Sequence, residues 1–267
     1  MSAKIMKVYT IQTIGFYEEL LQNGVAYCNR ESEWCKDCKV SYDWMADQMR
    51  KRVGEPPIPE IKYPVWVWLQ YNSKKGSMPP MSPKEIPSGQ EVGVMLELDI
   101  PDDAVLLSDL DMWIHPLNGW EICSKRESKL LEKEKDAYEK SHGKCRQLSD
   151  WPPVIQDKIV ATWERVFALD WIDPYQAPNK RQNRSIQGTT WLLRKEWLKV
   201  AHIFNKHSEL KRITYALPTL QHRMPMHQRE LSSSRTLLRL HCTPQSSRHQ
   251  TPNLLARHRV GKIGKKY

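Results

Sequence analysis

The sequence predicts an α+β domain: a small mixed sheet with helices packed on it, closed by a C-terminal pair of amphipathic helices and followed by a disordered basic tail. Three observations predict this. The elements read in the order β-α-α-β-β-β-α-α, which is that of an α+β domain. All 11 tryptophans fall between Trp34 and Trp197. That is enough large apolar surface for a real core, because each buried aromatic removes roughly 150–250 Å² from water. The charge also divides abruptly. The chain carries a net +10, yet residues 207–267 hold 12 basic and 2 acidic residues while 1–206 hold 29 of each. We therefore expect one domain over 1–206 and a tail over 207–267.

The first strand is "MKVYTIQT" (6–13), rich in β-branched and aromatic residues. "IGFYEELLQNG" (14–24) follows as a short helix with Phe16, Leu20 and Leu21 on one face and Gly24 at the C-cap. "SYDWMADQMRKRVG" (41–54) reads as a second helix, with Ser41 as N-cap, Trp44, Met45 and Met49 as the apolar stripe, and Gly54 as the stop.

The four prolines of "EPPIPEIKYP" exclude regular structure there. "VWVWLQY" (65–71) is apolar on both faces, which predicts a central strand covered twice. Residues 72–90 form a long Pro/Ser/Gly loop, a type that often serves as a lid. "EVGVMLELDIP" (91–101) alternates cleanly, with Val92, Val94, Leu96, Leu98 and Ile100 to one side and Glu97 and Asp99 to the other. "AVLLSD" (104–109) is a further strand, and the charge-rich stretch 125–146 is a solvated helix or insertion.

Two helices are expected to close the domain. One runs from about Trp151 to Phe167. The other runs from about Ser185 to Phe204 and carries Ile186, Thr190, Leu193, Trp197, Val200 and Phe204 on one stripe. Gln187 and Trp191, four apart on that second helix beside Arg194, would border a pocket or simply its surface.

The tail is rich in Ser, Arg, His, Pro and Thr and has no sustained apolar period. Such a segment cannot bury enough surface to offset its ordering entropy. It reads either as a basic arm for nucleic acid or an acidic partner, or as an unselected extension. A neutral body gives no electrostatic reason to expect phosphate binding outside the tail. No stretch approaches the roughly 20 apolar residues of a membrane span, and the start lacks a signal-peptide apolar region, so the reading is cytoplasmic. Six scattered cysteines in a chain with its own core fit reduced thiols.

Asp109, Asp111, His115 and Asn118 crowd into "LLSDLDMWIHPLNGW" and are the candidate catalytic residues, because carboxylates and an imidazole supply acid–base or hard-metal chemistry. The plainer reading makes Ser108 or Asp109 a cap, with Trp113 and Leu117 as anchors. Cys28, Cys35 and Cys38 with His142 and Cys145 offer zinc-type ligands, but the spacing between the pairs is long and no metal is assigned. The tryptophans at strand and helix spacings read as core. There is no GxGxxG, P-loop, G-x-S-x-G or H-E-x-x-H motif.

Six blocks, "MKVYTIQT", "YDWMADQMRKRVG", "YPVWVW", "LELDIPDDAVLLSDLDMWIHPLN", "TWERVFALDW" and "SIQGTTWLLRKEWLKV", resemble in order a bacterial family known as domain of unknown function 3841. The resemblance covers about 6–204 and none of the tail. Cys28, Cys35 and Cys38 stand outside its pattern. It implies domain limits and carries no activity.

Function is thus expected first as a non-catalytic binding module for a protein or small-molecule ligand, with the cofactor open. The alternatives are an NAD-binding enzyme and nucleic-acid contact through the tail only. For the enzyme, the start "VYTIQT" and the long loop loosely resemble ADP-ribosyltransferase-type domains at fold level, with Tyr9 and Gln12 toward the cofactor.

Overall fold

In the computed structural model the described residues are 4–28, 38–71, 74–75, 77–87, 89–170 and 184–205. Six strands form one sheet: β1 (Ile5–Gln12), β3 (Val65–Tyr71), β5 (Val92–Pro101), β6 (Leu106–Asp109), β7 (Ile186–Thr190) and β9 (Leu198–Asn205). Their order is β6-β7-β3-β1-β5-β9, with β4 (Lys74–Lys75) added beside the end of β3. Every pairing is antiparallel. A second, two-stranded ladder joins β2 (Val25–Ala26) to β8 (Leu193–Arg194). The helices are α1 (Ile14–Asn23), α2 (Lys39–Arg52), α3 (Leu110–Leu117), α4 (Lys125–His142) and α5 (Pro153–Ala161), the last continued by tighter turns over Thr162–Phe167. The α+β class holds.

Alternation along the strands gives the sheet two unlike faces. One is aliphatic. Val8, Val65, Val67, Leu69, Val94, Leu96, Leu98, Ile100 and Ala201 line it and pack under Tyr17 and Leu20 of α1. Each of the buried valines, leucines and isoleucine contributes about 1.5–3 kcal/mol on leaving water. The position of α1 is set at both ends. The Thr13 side chain caps it by accepting from the Phe16 N–H, and Gly24 closes it in the left-handed conformation.

The opposite face is covered in two places. Above β6, β7 and β3 lie α2 and α3. There the Thr189 hydroxyl meets the sulfurs of Met45 and Met49, and Tyr42 and Trp113 pack on Trp66. Above β1, β5 and β9 lies the proline-rich segment, whose Met81 and Ile86 pack on Tyr9, Met95 and Phe204. A third layer forms around the fully buried Trp163, held by α5, Leu131 of α4, and Trp44 of α2.

Three expectations fail in detail. Residues 185–204 are not a helix. They form β7, β8 and β9, because the β-branched Thr189, Thr190, Val200 and Ile203 suit a pleated strand, and the apolar spacing read as 3.6 also fits strands broken by a turn. The sheet is antiparallel, not mixed. Ser41 does not cap α2; Cys38 holds that position, and the Ser41 hydroxyl donates to the Pro116 carbonyl at 2.6 Å, tying α2 to α3. The expected tail over 207–267 lies outside the described residues.

Candidate functional site

Cross-strand partners in an antiparallel ladder share a face. The registers pair Ser108 with Gln187, Gln187 with Trp68, Trp68 with Tyr9, and Tyr9 with Glu97. These five residues therefore form one continuous row across five strands, roughly 19 Å long at the usual strand spacing. The row lies on the face away from the aliphatic core. Beside it run a second row, Leu106–Thr189–Trp66, and a third, Ile11–Met95–His202.

Polar chemistry collects on this face. Among the described residues, the buried side-chain nitrogens and oxygens without a hydrogen-bond partner are Trp66 Nε1, Ser108 Oγ, Gln187 Nε2 and His202 Nδ1. All four belong to these three rows. Each buried group left unpaired costs about 1–3 kcal/mol, so their confinement to one face is a concentrated expense of stability. Ser108 is fully buried and Gln187 is 5% exposed. The indoles of Trp66 and Trp68 are half-buried, which leaves ring surface between the two covers of the face.

The charges bordering the rows are compensated. At the β6–β7 end, the buried Asp109 carboxylate caps α3 by accepting from the Met112 N–H at 3.1 Å and pairs with Arg184. The Arg184 carbonyl accepts in turn from the Gln70 amide at 3.0 Å. At the other end Glu97 pairs with Lys7, and the hydrogen bond to Glu97 holds the Lys7 ammonium above its ordinary pKa. Burial, and next the Glu97 charge, push the Tyr9 phenol above its usual value, so at neutral pH Tyr9 is a neutral phenol.

Of the residues expected to form a site, Tyr9 alone belongs to the row. Gln12 falls on the other face of β1, and its amide donates to the Thr10 hydroxyl at 2.8 Å. Asp109 is engaged as cap and ion-pair partner. Asp111, His115 and Asn118 share one side of α3 by helical spacing. There His115 Nδ1 donates to the Glu121 carbonyl at 2.8 Å, and the Asn118 amide donates to the Ile114 carbonyl at 2.7 Å. These are end-of-helix contacts that satisfy backbone carbonyls.

Sequence reasoning missed Ser108, Trp66, Trp68, Glu97 and His202, because their meeting depends on register between distant strands. Gln187 was noticed as a pocket border, but on the wrong element. A local signal did exist: tryptophans alternating with valines in "VWVWLQ" mark one face of β3 as aliphatic and the other as ringed.

The zinc ligands do not gather. Cys28 sits at a bridge to Tyr63, the Cys38 thiol lies 3.8 Å from the Leu117 carbonyl, and the His142 ring stacks on Tyr138. Cys35 lies outside the described residues. Among the described residues, no group of three His, Cys, Asp or Glu side chains is placed to hold a metal ion, and no helix is long and apolar enough to cross a membrane.

A family model described as Domain of unknown function (DUF3841) matches residues 7–199, and the chain belongs to that family. No curated protein and no solved structure matches the chain.

Proposed function

We propose that this member of the DUF3841 family is a non-catalytic binding module, and that its ligand is a small planar molecule seated against Trp66 and Trp68. One observation carries the reading: the unpartnered Trp66 Nε1, Ser108 Oγ and Gln187 Nε2 lie together on one sheet face. Two of the three are pure donors. The complementary ligand presents hydrogen-bond acceptors, such as carbonyl oxygens or ring nitrogens, on a flat ring that stacks on indole. The neighbouring charges are already paired, so the ligand, or the part of it on this face, is uncharged. Ligand sites of this kind combine a mostly apolar lining with a few placed polar groups.

NAD enters as one probe among several, because nicotinamide is a flat ring with an amide carbonyl. Binding of NAD with no turnover favours the module; turnover favours the transferase alternative. The test is an indole N–H titration of the full chain, ¹⁵N-labelled at tryptophan, with uracil, adenine, nicotinamide and NAD. The Trp66 and Trp68 signals are assigned with Trp66→Phe and Trp68→Phe. A saturating shift confined to those two signals supports the reading. It is overturned if neither signal moves with any of the four, or if a crystal structure shows the unpartnered atoms satisfied by ordered water alone.

A further inference from the structure

We infer that the outer face of α4 is a contact surface for a nucleic-acid phosphate backbone. The charges of α4 are segregated. Glu127, Glu134 and Glu139 are paired with Arg165, Lys158 and Lys144, and Lys135 is paired with Glu121. Lys125, Arg126, Lys129, Lys133 and Lys140 are all exposed, and none has an ion-pair partner among the described residues. At 100° per residue these five fall on one stripe, with Asp136 among them and the exposed Glu132 at its edge. The stripe covers 125–140, about 22 Å of helix at 1.5 Å per residue. The net neutrality of 1–206 therefore conceals a local positive field.

The placement runs against the helix's own interest. Lys125 and Arg126 stand in the first turn, where the helix dipole is positive and cations are disfavoured by about 0.3–1 kcal/mol each. Glu127, the one acid of that turn, closes a capping box with Ser124 and pairs with Arg165, so it does not neutralise Lys125 or Arg126.

The chemistry of the stripe selects the partner. Lysine is depleted at protein–protein interfaces, whose centres are apolar and aromatic. The stripe offers one large apolar side chain, Leu130, at its rim. Its flexible point charges line a shallow, open hollow formed by Lys125, Arg126, Lys129, Leu130 and Lys133, with no aromatic ring, which is how phosphates are held without reading sequence.

The experiment uses the full chain, whose 207–267 segment adds cations of its own. Binding to a short random-sequence DNA duplex is measured against salt for wild type, for Lys125→Gln/Lys129→Gln/Lys133→Gln, and for the charge-matched control Lys4→Gln/Lys51→Gln/Lys84→Gln. Each phosphate contact contributes about 0.9 to the slope of log K against log salt. The stripe variant is expected to lose roughly 2–3 of that slope, so that over a fourfold rise in salt its affinity falls about forty-fold less than wild type's. The control keeps the wild-type slope, and all three proteins keep the same melting temperature.

The inference is overturned if wild type does not bind, if the stripe variant keeps the full slope, or if the control loses as much. It also falls if polyglutamate binds wild type as tightly as the duplex and with the same dependence on the stripe, since the partner is then an acidic peptide.

Discussion

On β5, Val94, Leu96, Leu98 and Ile100 point to one side of the sheet and are fully buried, while Met95, Glu97 and Asp99 point to the other. The same alternation runs through β3, where valines stand against tryptophans, and through β1, where Val8 stands against Tyr9. On the aliphatic face the polar side chains Thr10, Gln12 and Thr190 are hydrogen-bonded, and the face packs under one short helix. The ringed face carries the four buried polar atoms that lack a partner, and it is covered by two helices and a proline-rich segment with indole surface left between them. Both faces are covered, but among the described residues only the second carries buried polar atoms without a partner. The difference teaches where to look: unsatisfied burial gathered in one place marks the part of the molecule not shaped by stability alone.

The strongest way to break this contrast is to empty each face in turn. Leu96→Ala on the aliphatic face is expected to cost about 4 kcal/mol in urea unfolding, because a fully buried leucine leaves a cavity that its strand neighbours cannot fill. A loss below about 1 kcal/mol would mean that this face is not the core. Next in size is Asp109→Ala, at about 3 kcal/mol by the same measurement, since it removes the α3 cap and leaves Arg184 without its buried partner. Asn118→Ala, at the other end of α3, is expected to change stability by no more than about 0.5 kcal/mol. If the two alanine variants cost the same, Asp109 is not the anchor described here.

The ringed face should behave in the opposite sense. Ser108→Ala and Gln187→Met each replace a buried unsatisfied group by an apolar one. They are expected to leave stability unchanged or to raise it by about 1 kcal/mol. Each should also weaken ligand binding in the indole titration, which is the usual trade between stability and a working site. A destabilisation of about 2 kcal/mol or more would show that these atoms have partners in solution, and the two faces would then no longer differ in kind.

Much of this architecture was legible in the chain. β3 matches its expected limits residue for residue, and α1 ends where Gly24 says it must, because each rests on a local rule: alternation, or a left-handed cap. The C-terminal strands were not legible. Ile186, Thr190, Leu193, Trp197 and Phe204 stand three to seven apart, a spacing shared by a helix face and by a strand–turn–strand path. Buried polar residues such as Gln187 and Thr189 hide the period of two that would have decided between them. The row itself joins positions 9, 68, 97, 108 and 187, and no linear pattern carries register across such separations. Asp109, by contrast, was read correctly in its plainer role, since a carboxylate three residues before a backbone N–H it can cap is a local signal.

The finest distinction between the faces is that one of them titrates. The aliphatic residues have no ionisable group, whereas Tyr9 on the ringed face has its pKa raised above the ordinary 10.0, chiefly by burial and then by Glu97. For a group whose folded pKa exceeds its unfolded one, the stabilisation is complete below the unfolded value and disappears as pH rises through the folded value. Stability should therefore fall from about pH 9 upward as the unfolded chain, with its ordinary phenol, ionises first. Lys7, also raised by Glu97, adds a loss of the same sign at still higher pH. Subtracting the alkaline slope of Tyr9→Phe from that of wild type gives the phenol's part together with its effect on the neighbouring Lys7, since Glu97 stays in both proteins. The urea midpoint of wild type should drop more steeply than that of Tyr9→Phe between about pH 9 and about pH 11. Equal slopes would place the phenol in water and remove Tyr9 from the row.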